Sequence, residues 1–286
     1  MSTPNTEFIV IAGPCVIEKN RGEHNFETAR QLQKITQNLP IKFFFKSSFD
    51  KANRTSVEAY RGPGLKEGLE ILAEIKKETG MSILTDVHEI DQIGPVAEVA
   101  DMIQIPAFLC RQTDLLVEAG KSGKPVNIKK GQFMAPQDMI HAANKVKSTG
   151  NNSVYITERG NTFGYNNLVV DMRSIPITQS LGLPLIFDVT HSVQIPGGQG
   201  TKSGGKREFA PVLMRAAVAA GCNGLFFETH PDPDNALSDG PNMVPLEWVP
   251  QLLETALKLR AVTLADPRFQ ESPAGQSVQN KSLQNV

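Results

Sequence analysis

Short runs of apolar and β-branched residues recur about 20 to 40 residues apart along this chain, with amphipathic stretches between them. The runs predict strands at Phe8–Ala12, Ile41–Phe45, Ser82–Thr85, Met102–Ile105, Val126–Ile128, Val154–Thr157, Leu185–Phe187 and Gly224–Phe227. Most are apolar almost throughout, the mark of strands buried on both faces. The amphipathic stretches predict helices over Asn25–Gln37, Gly64–Thr79, Phe209–Gly221 and Leu246–Leu259, the second stopped by Gly80. Strands alternating with helices imply a parallel sheet. Eight of them imply an α/β fold of the closed (β/α)8 TIM-barrel type in a single domain. An open dinucleotide-binding sheet has no support, because no Gly-x-Gly-x-x-Gly follows the first strand.

The length sharpens this picture. The chain has 286 residues, which suits one barrel, and at that size about three quarters of the unfolded chain's surface can be buried. After Pro267 the sequence turns polar and rich in small residues, so we expect a barrel domain over 1–266 and a flexible C-terminal tail over 267–286.

Charge and cysteine content limit the function classes. Lys and Arg total 29 against 30 Asp and Glu, a net charge of -1, which carries no nucleic-acid or membrane signature. It leaves room for a small anionic ligand at a locally basic cluster. Cys15, Cys110 and Cys222 cannot all pair, as expected of a reducing compartment. No secretory signal is recognisable at the N-terminus and no run is long enough to span a membrane, so a cytoplasmic protein is expected.

In such a barrel, chemistry gathers at the C-terminal ends of the strands. Those positions hold Cys15, Lys46, Asp86 and His88, Gln104, Lys129 and Lys130, Glu158 and Arg159, Asp188 and His191, and Glu228 and His230. Lys46, Lys51, Arg54, Lys129 and Arg159 form a cationic set, with Arg111, Lys202, Lys206 and Arg207 in nearby loops. Cations around one mouth imply ligands with several negative charges. Any one of them alone reads equally well as a solvated rim residue.

A second set is Cys15, His191, Glu228 and Asp239. A thiolate, an imidazole and two carboxylates suit a borderline divalent metal. Closure of the barrel would bring strands one, seven and eight side by side. On composition alone, Cys15 reads more readily as a small buried hydrophobe, the commonest fate of a free cysteine. The glycine-rich segment 196–206 reads as an anion-binding loop, a mobile lid or a merely flexible connection.

Several segments then narrow the choice: AGPC (12–15), KSSFDKANRTS (46–56), RGPG (61–64), TDVHE (85–89), IQIPAFLCRQTDLL (103–116), NIKKGQF (127–133), TERGNTFGYNNLVVDMR (157–173), FDVTHSVQ (187–194), SGGKREF (203–209) and ETHPDP (228–233). With these the chain resembles the 3-deoxy-D-manno-octulosonate 8-phosphate synthase family, from Ala12 to about Pro245. The resemblance implies condensation of phosphoenolpyruvate with arabinose 5-phosphate, in a homotetramer, toward lipopolysaccharide or a plant-like wall polymer. The related synthase that uses erythrose 4-phosphate shares the barrel and the phosphoenolpyruvate site. It typically has Lys-Pro-Arg where this chain has Lys51-Ala52-Asn53-Arg54. Sialic acid synthases are a more distant match, and a phospho-ligand-binding barrel without turnover is the non-enzymatic alternative.

Site roles carried over by the resemblance are as follows. Lys46, Lys51, Gln104, Ala107, Lys129 and Arg159 would hold phosphoenolpyruvate. Asn53, Arg54, Thr55, Asp86 and His88 would hold arabinose 5-phosphate, with Ser203 and Arg111 at its phosphate end, Arg111 reaching in from a neighbouring subunit. Thr55 is Ser in many members, which keeps the hydroxyl. Lys51, Asn53, His191 and Asp239 would be the catalytic group. Metal-dependent members carry Cys after Gly-Pro, whereas metal-independent ones carry Asn. Cys15 therefore implies one divalent ion, of the zinc, iron, manganese, cobalt or cadmium kind, held with His191, Glu228 and Asp239.

Overall fold

The computed structural model describes residues 7–197 and 204–270. Eight parallel strands close into a barrel: β1 (Phe8–Gly13), β2 (Ile41–Lys46), β3 (Ser82–Asp86), β4 (Met102–Ile105), β5 (Val126–Lys129), β6 (Val154–Glu158), β7 (Leu185–Asp188) and β8 (Gly224–His230). They neighbour one another in chain order, and β8 pairs with β1 to close the ring. Helices follow the strands: α1 (Lys19–Thr36), α2 (Leu65–Thr79), α3 (Ile93–Val99), α4 (Thr113–Lys121), α5 (Met139–Lys147), α6 (Ser174–Ser180), α7 (Ala210–Ala219) and α8 (Val249–Ala265). The expected (β/α)8 barrel is therefore what forms.

The strands are apolar on both sides because each side has its own core. Ile9, Ile11, Phe44, Leu84, Met102, Ile186 and Phe226 pack together as one cluster inside the ring. Val10, Ala12, Phe45, Ile83, Ile103 and their neighbours pack in a larger cluster beneath the helices.

Two differences from the sequence reading bear on the site. First, most strands run one to three residues past the end of the apolar run. Lys46, Asp86, Lys129, Glu158, Asp188 and Glu228 lie on strands rather than in the loops after them. The backbone ladder takes any side chain, so the apolar pattern stops before the pairing does. Second, regular α1 starts late: Asn20, Arg21 and Gly22 have left-handed angles, so its regular part starts close to the expected Asn25. Helices α3 to α6 have seven to nine residues and offer little periodicity to read.

A first short hairpin pair, Asn161–Thr162 with Leu168–Val169, follows β6, and a second, Gln194–Ile195 with Gly204–Gly205, follows β7. The last described element is a helical turn, α9 (Pro267–Gln270), inside the stretch expected as tail. A Cβ on Gly13 would stand 2.1 Å from the Lys46 carbonyl oxygen. Only glycine lets β1 and β2 approach so closely where the mouth begins.

Candidate active site

A cavity of about 680 Å³ opens at the C-terminal ends of the strands. Lys46, Asp86, Gln104, Lys129 and Glu228 reach it from strands, where the sheet fixes their direction. Lys51, Asn53, Arg54 and Thr55 enter it from the β2–α2 loop, His88 and Ala107 from the loops after β3 and β4, Arg159 and His191 from just after β6 and β7, and Asp239 from the loop after β8.

The metal-type set assembles at one side. Ligand atoms of Cys15, Glu228 and Asp239 all lie within 4.8 Å of one another. His191 Nε2 stands 3.9 Å from Glu228 Oε2 and 3.9 Å from Asp239 Oδ2. Cys15 Sγ is 3.2 Å from Asp239 Oδ2 and 2.9 Å from Ser238 Oγ. Burial pushes the Cys15 thiol far above its ordinary range, and the Glu228 carboxylate adds to this. Burial also raises Glu228, but His191, Lys46 and Lys51 overrule it and hold the carboxyl down at about 2. Glu228 Oε2 is buried without a hydrogen-bond partner. A charged carboxylate oxygen left without a donor beside a thiol and an imidazole fits a divalent cation, which would also draw the proton from the thiol.

Asp239 reaches this group from an unusual backbone, with φ at +49°. Its loop is held from two sides. Arg207 donates to Asp234 Oδ1 at 2.6 Å and to the Gly240 carbonyl at 2.8 Å, and Glu18 Oε1 accepts from the Leu237 N–H at 3.2 Å.

The cations occupy the rest of the cavity. Lys46, 2% exposed, donates to the Cys15 carbonyl at 3.0 Å and pairs with Glu228 Oε1 at 3.2 Å. Lys51 Nζ lies 4.0 Å from the same oxygen. Burial would lower the Lys51 ammonium, but Cys15, Glu228, Asp86 and Asp239 around it keep it above its ordinary range. Lys129 pairs with the fully buried Asp188 and lies over the Phe226 ring, 3.1 Å from its centre. Burial dominates there and brings its ammonium down to about 8, against the pull of Asp188. Arg159 donates to Gln194 Oε1 at 2.7 Å. His88 Nε2 stands 3.3 Å from Asp86 Oδ2. Burial raises Asp86, but the His88 contact, Lys46 and Lys51 hold it far below the carboxylate range. Arg54 Nη2, Asp86 Oδ1 and His88 Nδ1 are buried without partners.

The structure therefore brings fourteen of the residues singled out in the sequence to one cavity, with Cys15 buried beside it. It does not bring all of them. Arg111 is exposed and lies outside its own chain's cavity. Ser203 and Lys202 lie outside the described residues. Not every strand-end polar residue faces the mouth: Lys130 pairs with Glu158 at 3.5 Å, both almost fully buried, and His230 Nε2 stands 3.5 Å from Glu18 Oε1. Phe108, Gln132, Gln194, Phe226 and Ser238 also line the cavity, and none of them is among the residues to which the sequence points. Ser238, next to Asp239, could have been found from that adjacency. The others carry no signal without the fold.

A sequence profile of the DAHP synthetase I family matches residues 2–264. The chain belongs to this family. Within it, the chain is 56% identical over 258 residues to the 2-dehydro-3-deoxyphosphooctonate aldolase of Syntrophotalea carbinolica, covering 90% of this chain and 92% of the relative. It is 58% identical over 254 residues to the protein of the same name from Stenotrophomonas maltophilia, 89% and 91% of the two chains. It is 57% identical over 262 residues to that of Bordetella petrii, 90% and 92%.

Proposed function

We propose that this chain condenses phosphoenolpyruvate with arabinose 5-phosphate and water to give 3-deoxy-D-manno-octulosonate 8-phosphate and phosphate. The observation that carries this reading is the single cavity in which Lys46, Lys51, Lys129 and Arg159 stand beside the Cys15, Glu228 and Asp239 cluster. Carbon arithmetic agrees with the relatives' name. An octonate has eight carbons, three from phosphoenolpyruvate and five from a pentose phosphate, whereas a tetrose phosphate would give seven.

Both substrates are anions and repel each other. The buried cations offset that repulsion and hold the reacting carbons near contact, where orientation lowers the barrier by several kcal/mol. In this reading Lys46, Lys51, Lys129 and Arg159 bind the carboxylate and phosphate of phosphoenolpyruvate, with Gln104 and the Ala107 backbone beside them. The unpartnered polar atoms of Arg54, Asp86 and His88 face the sugar phosphate with Asn53 and Thr55; Ser203, outside the described residues, keeps the phosphate-binding role that the family resemblance implies. C3 of phosphoenolpyruvate adds to the aldehyde carbon, water adds at C2, and the phosphate leaves by C–O cleavage. Lys51 and Asn53 polarise the aldehyde oxygen, and His191 and Asp239 handle the proton of the incoming water. Cys15, His191, Glu228 and Asp239 would hold one divalent ion, which supplies Lewis acidity and a lowered water pKa when bound.

Incubation with phosphoenolpyruvate and either arabinose 5-phosphate or erythrose 4-phosphate tests the reading. Phosphate release with the pentose and not the tetrose is expected, and the reverse would overturn it. Cys15→Ala should lose metal retention on dialysis, and full activity of that variant in chelator would remove the metal.

We also read the chain as cytoplasmic; no helix among the described residues is long and apolar enough to cross a membrane. A homotetramer agrees with an exposed aromatic group beside the mouth: Phe108, Phe133, Phe163 at 70% exposure and Tyr165 at 98%. Such a patch commonly marks an interface, and a partner subunit's Arg111 would then complete the phosphate end. Phe163→Ser with Tyr165→Ser should lower the sedimentation coefficient, and an unchanged tetramer would refute the placement.

A further inference from the structure

Asp188 is fully buried at the end of β7 and contacts two residues that line the cavity, His191 and Lys129. Its Oδ1 accepts the backbone N–H of His191 at 2.8 Å and the Thr190 hydroxyl at 3.3 Å. The His191 ring Nδ1 is 3.1 Å from Oδ1 and 3.0 Å from Oδ2. Thr190 Oγ1 in turn accepts the Glu228 N–H at 3.1 Å. Oδ2 also accepts from the Lys129 ammonium. One carboxylate thus touches the ring of one metal-type residue, supports the backbone of another through Thr190, and pairs with the Lys129 cation.

We propose that Asp188 is a positioning residue that couples the metal centre to the phosphoenolpyruvate site. It fixes the His191 tautomer with the proton on Nδ1, which turns Nε2 toward Glu228 and Asp239, and it divides its single negative charge between His191 and Lys129. Ligation at Nε2 makes Nδ1–H a stronger donor and draws the Asp188 charge toward it. Lys129 is then less neutralised and holds an anion more tightly. By linkage, a bound anion on Lys129 strengthens metal binding by the same factor. This inference rests on the reading of Lys129 as a phosphoenolpyruvate contact.

Calorimetry of phosphoenolpyruvate binding to chelator-stripped and Co²⁺-loaded protein, wild type and Asp188→Asn, tests it. Metal should tighten binding to the wild type by about fivefold or more, the lower end of ordinary couplings. Asp188→Asn should cut that ratio at least threefold, with Co²⁺ affinity lowered by about tenfold or more. A ratio near one in the wild type, or the same ratio in the variant, overturns the coupling. A wild type that binds no phosphoenolpyruvate in either state removes the functional reading as well. If Asp188→Asn does not fold, ¹⁵N-histidine spectra of the wild-type Zn²⁺ form decide. The His191 Nδ1 proton should be present and should shift when phosphoenolpyruvate is added. Its absence, or its indifference to phosphoenolpyruvate, overturns the proposal.

Discussion

Lys129 and Lys130 are consecutive, both buried and both paired with a carboxylate, yet their surroundings differ completely. Lys130 donates to the carbonyls of Gly131 and Met134, both at 3.3 Å, and to Asn161 Oδ1, beside Glu158. Its protons are spent on protein, and it ties the β5 and β6 ends to the first hairpin. Lys129 has Asp188 and the face of Phe226, and it lines the cavity. A buried ammonium surrounded by carbonyls is structural. One with a single carboxylate and an aromatic face has capacity left for an anion.

Removing each lysine should separate the two roles. Lys129→Met is expected to weaken phosphoenolpyruvate binding by about 2–4 kcal/mol, roughly thirtyfold to a thousandfold. Its melting temperature should move less than that of the Lys130 variant, because Asp188 keeps His191 and Thr190 as partners. Equal losses in binding for the two variants would erase the distinction. Lys130→Met leaves Glu158 buried without its cation and should cost about 3 kcal/mol of stability, read by urea denaturation, while the folded fraction binds phosphoenolpyruvate normally.

A pH series sharpens the contrast. The charged form of Lys129 exists below its value of about 8. Phosphoenolpyruvate affinity should therefore fall as pH rises through about 8, by up to about tenfold per unit. Lys129→Arg, charged throughout, should flatten the profile; a wild-type profile flat from pH 7 to 9.5 would refute the assignment. The smallest effect is expected from Glu158→Gln, about 1 kcal/mol, because the amide oxygen can still accept the Gly160 N–H that Glu158 Oε1 accepts at 2.6 Å.

The same two lysines show how far the sequence could be read. The run Val126–Ile128 announces β5, and its apolar character predicts burial on both faces. The fold followed from eight such runs. What the run does not say is which way the next two side chains point. The strand extends through Lys129, which sends that side chain into the mouth, and Lys130 falls on the other side. The metal-type set was legible as types and strand numbers, since closing a barrel leaves little freedom about which strand ends meet. Asp188 as the link between His191 and Lys129 was not legible, because Asp188 and His191 stand three residues apart while Lys129 lies 59 residues away in another strand. Arg111 shows a different outcome, since the fold leaves it exposed and outside the cavity.

Asp239 has a further consequence. Its left-handed backbone costs an ordinary L-residue about 1 kcal/mol or more, and glycine escapes that cost. Random drift at this position would thus gain stability by moving to glycine and lose the carboxylate in the same step. Lineages that keep aspartate here are held by selection on chemistry against the preference of the backbone. A barrel of this kind with glycine at 239 would be a sturdier protein that had given up one carboxylate beside Cys15 and Glu228.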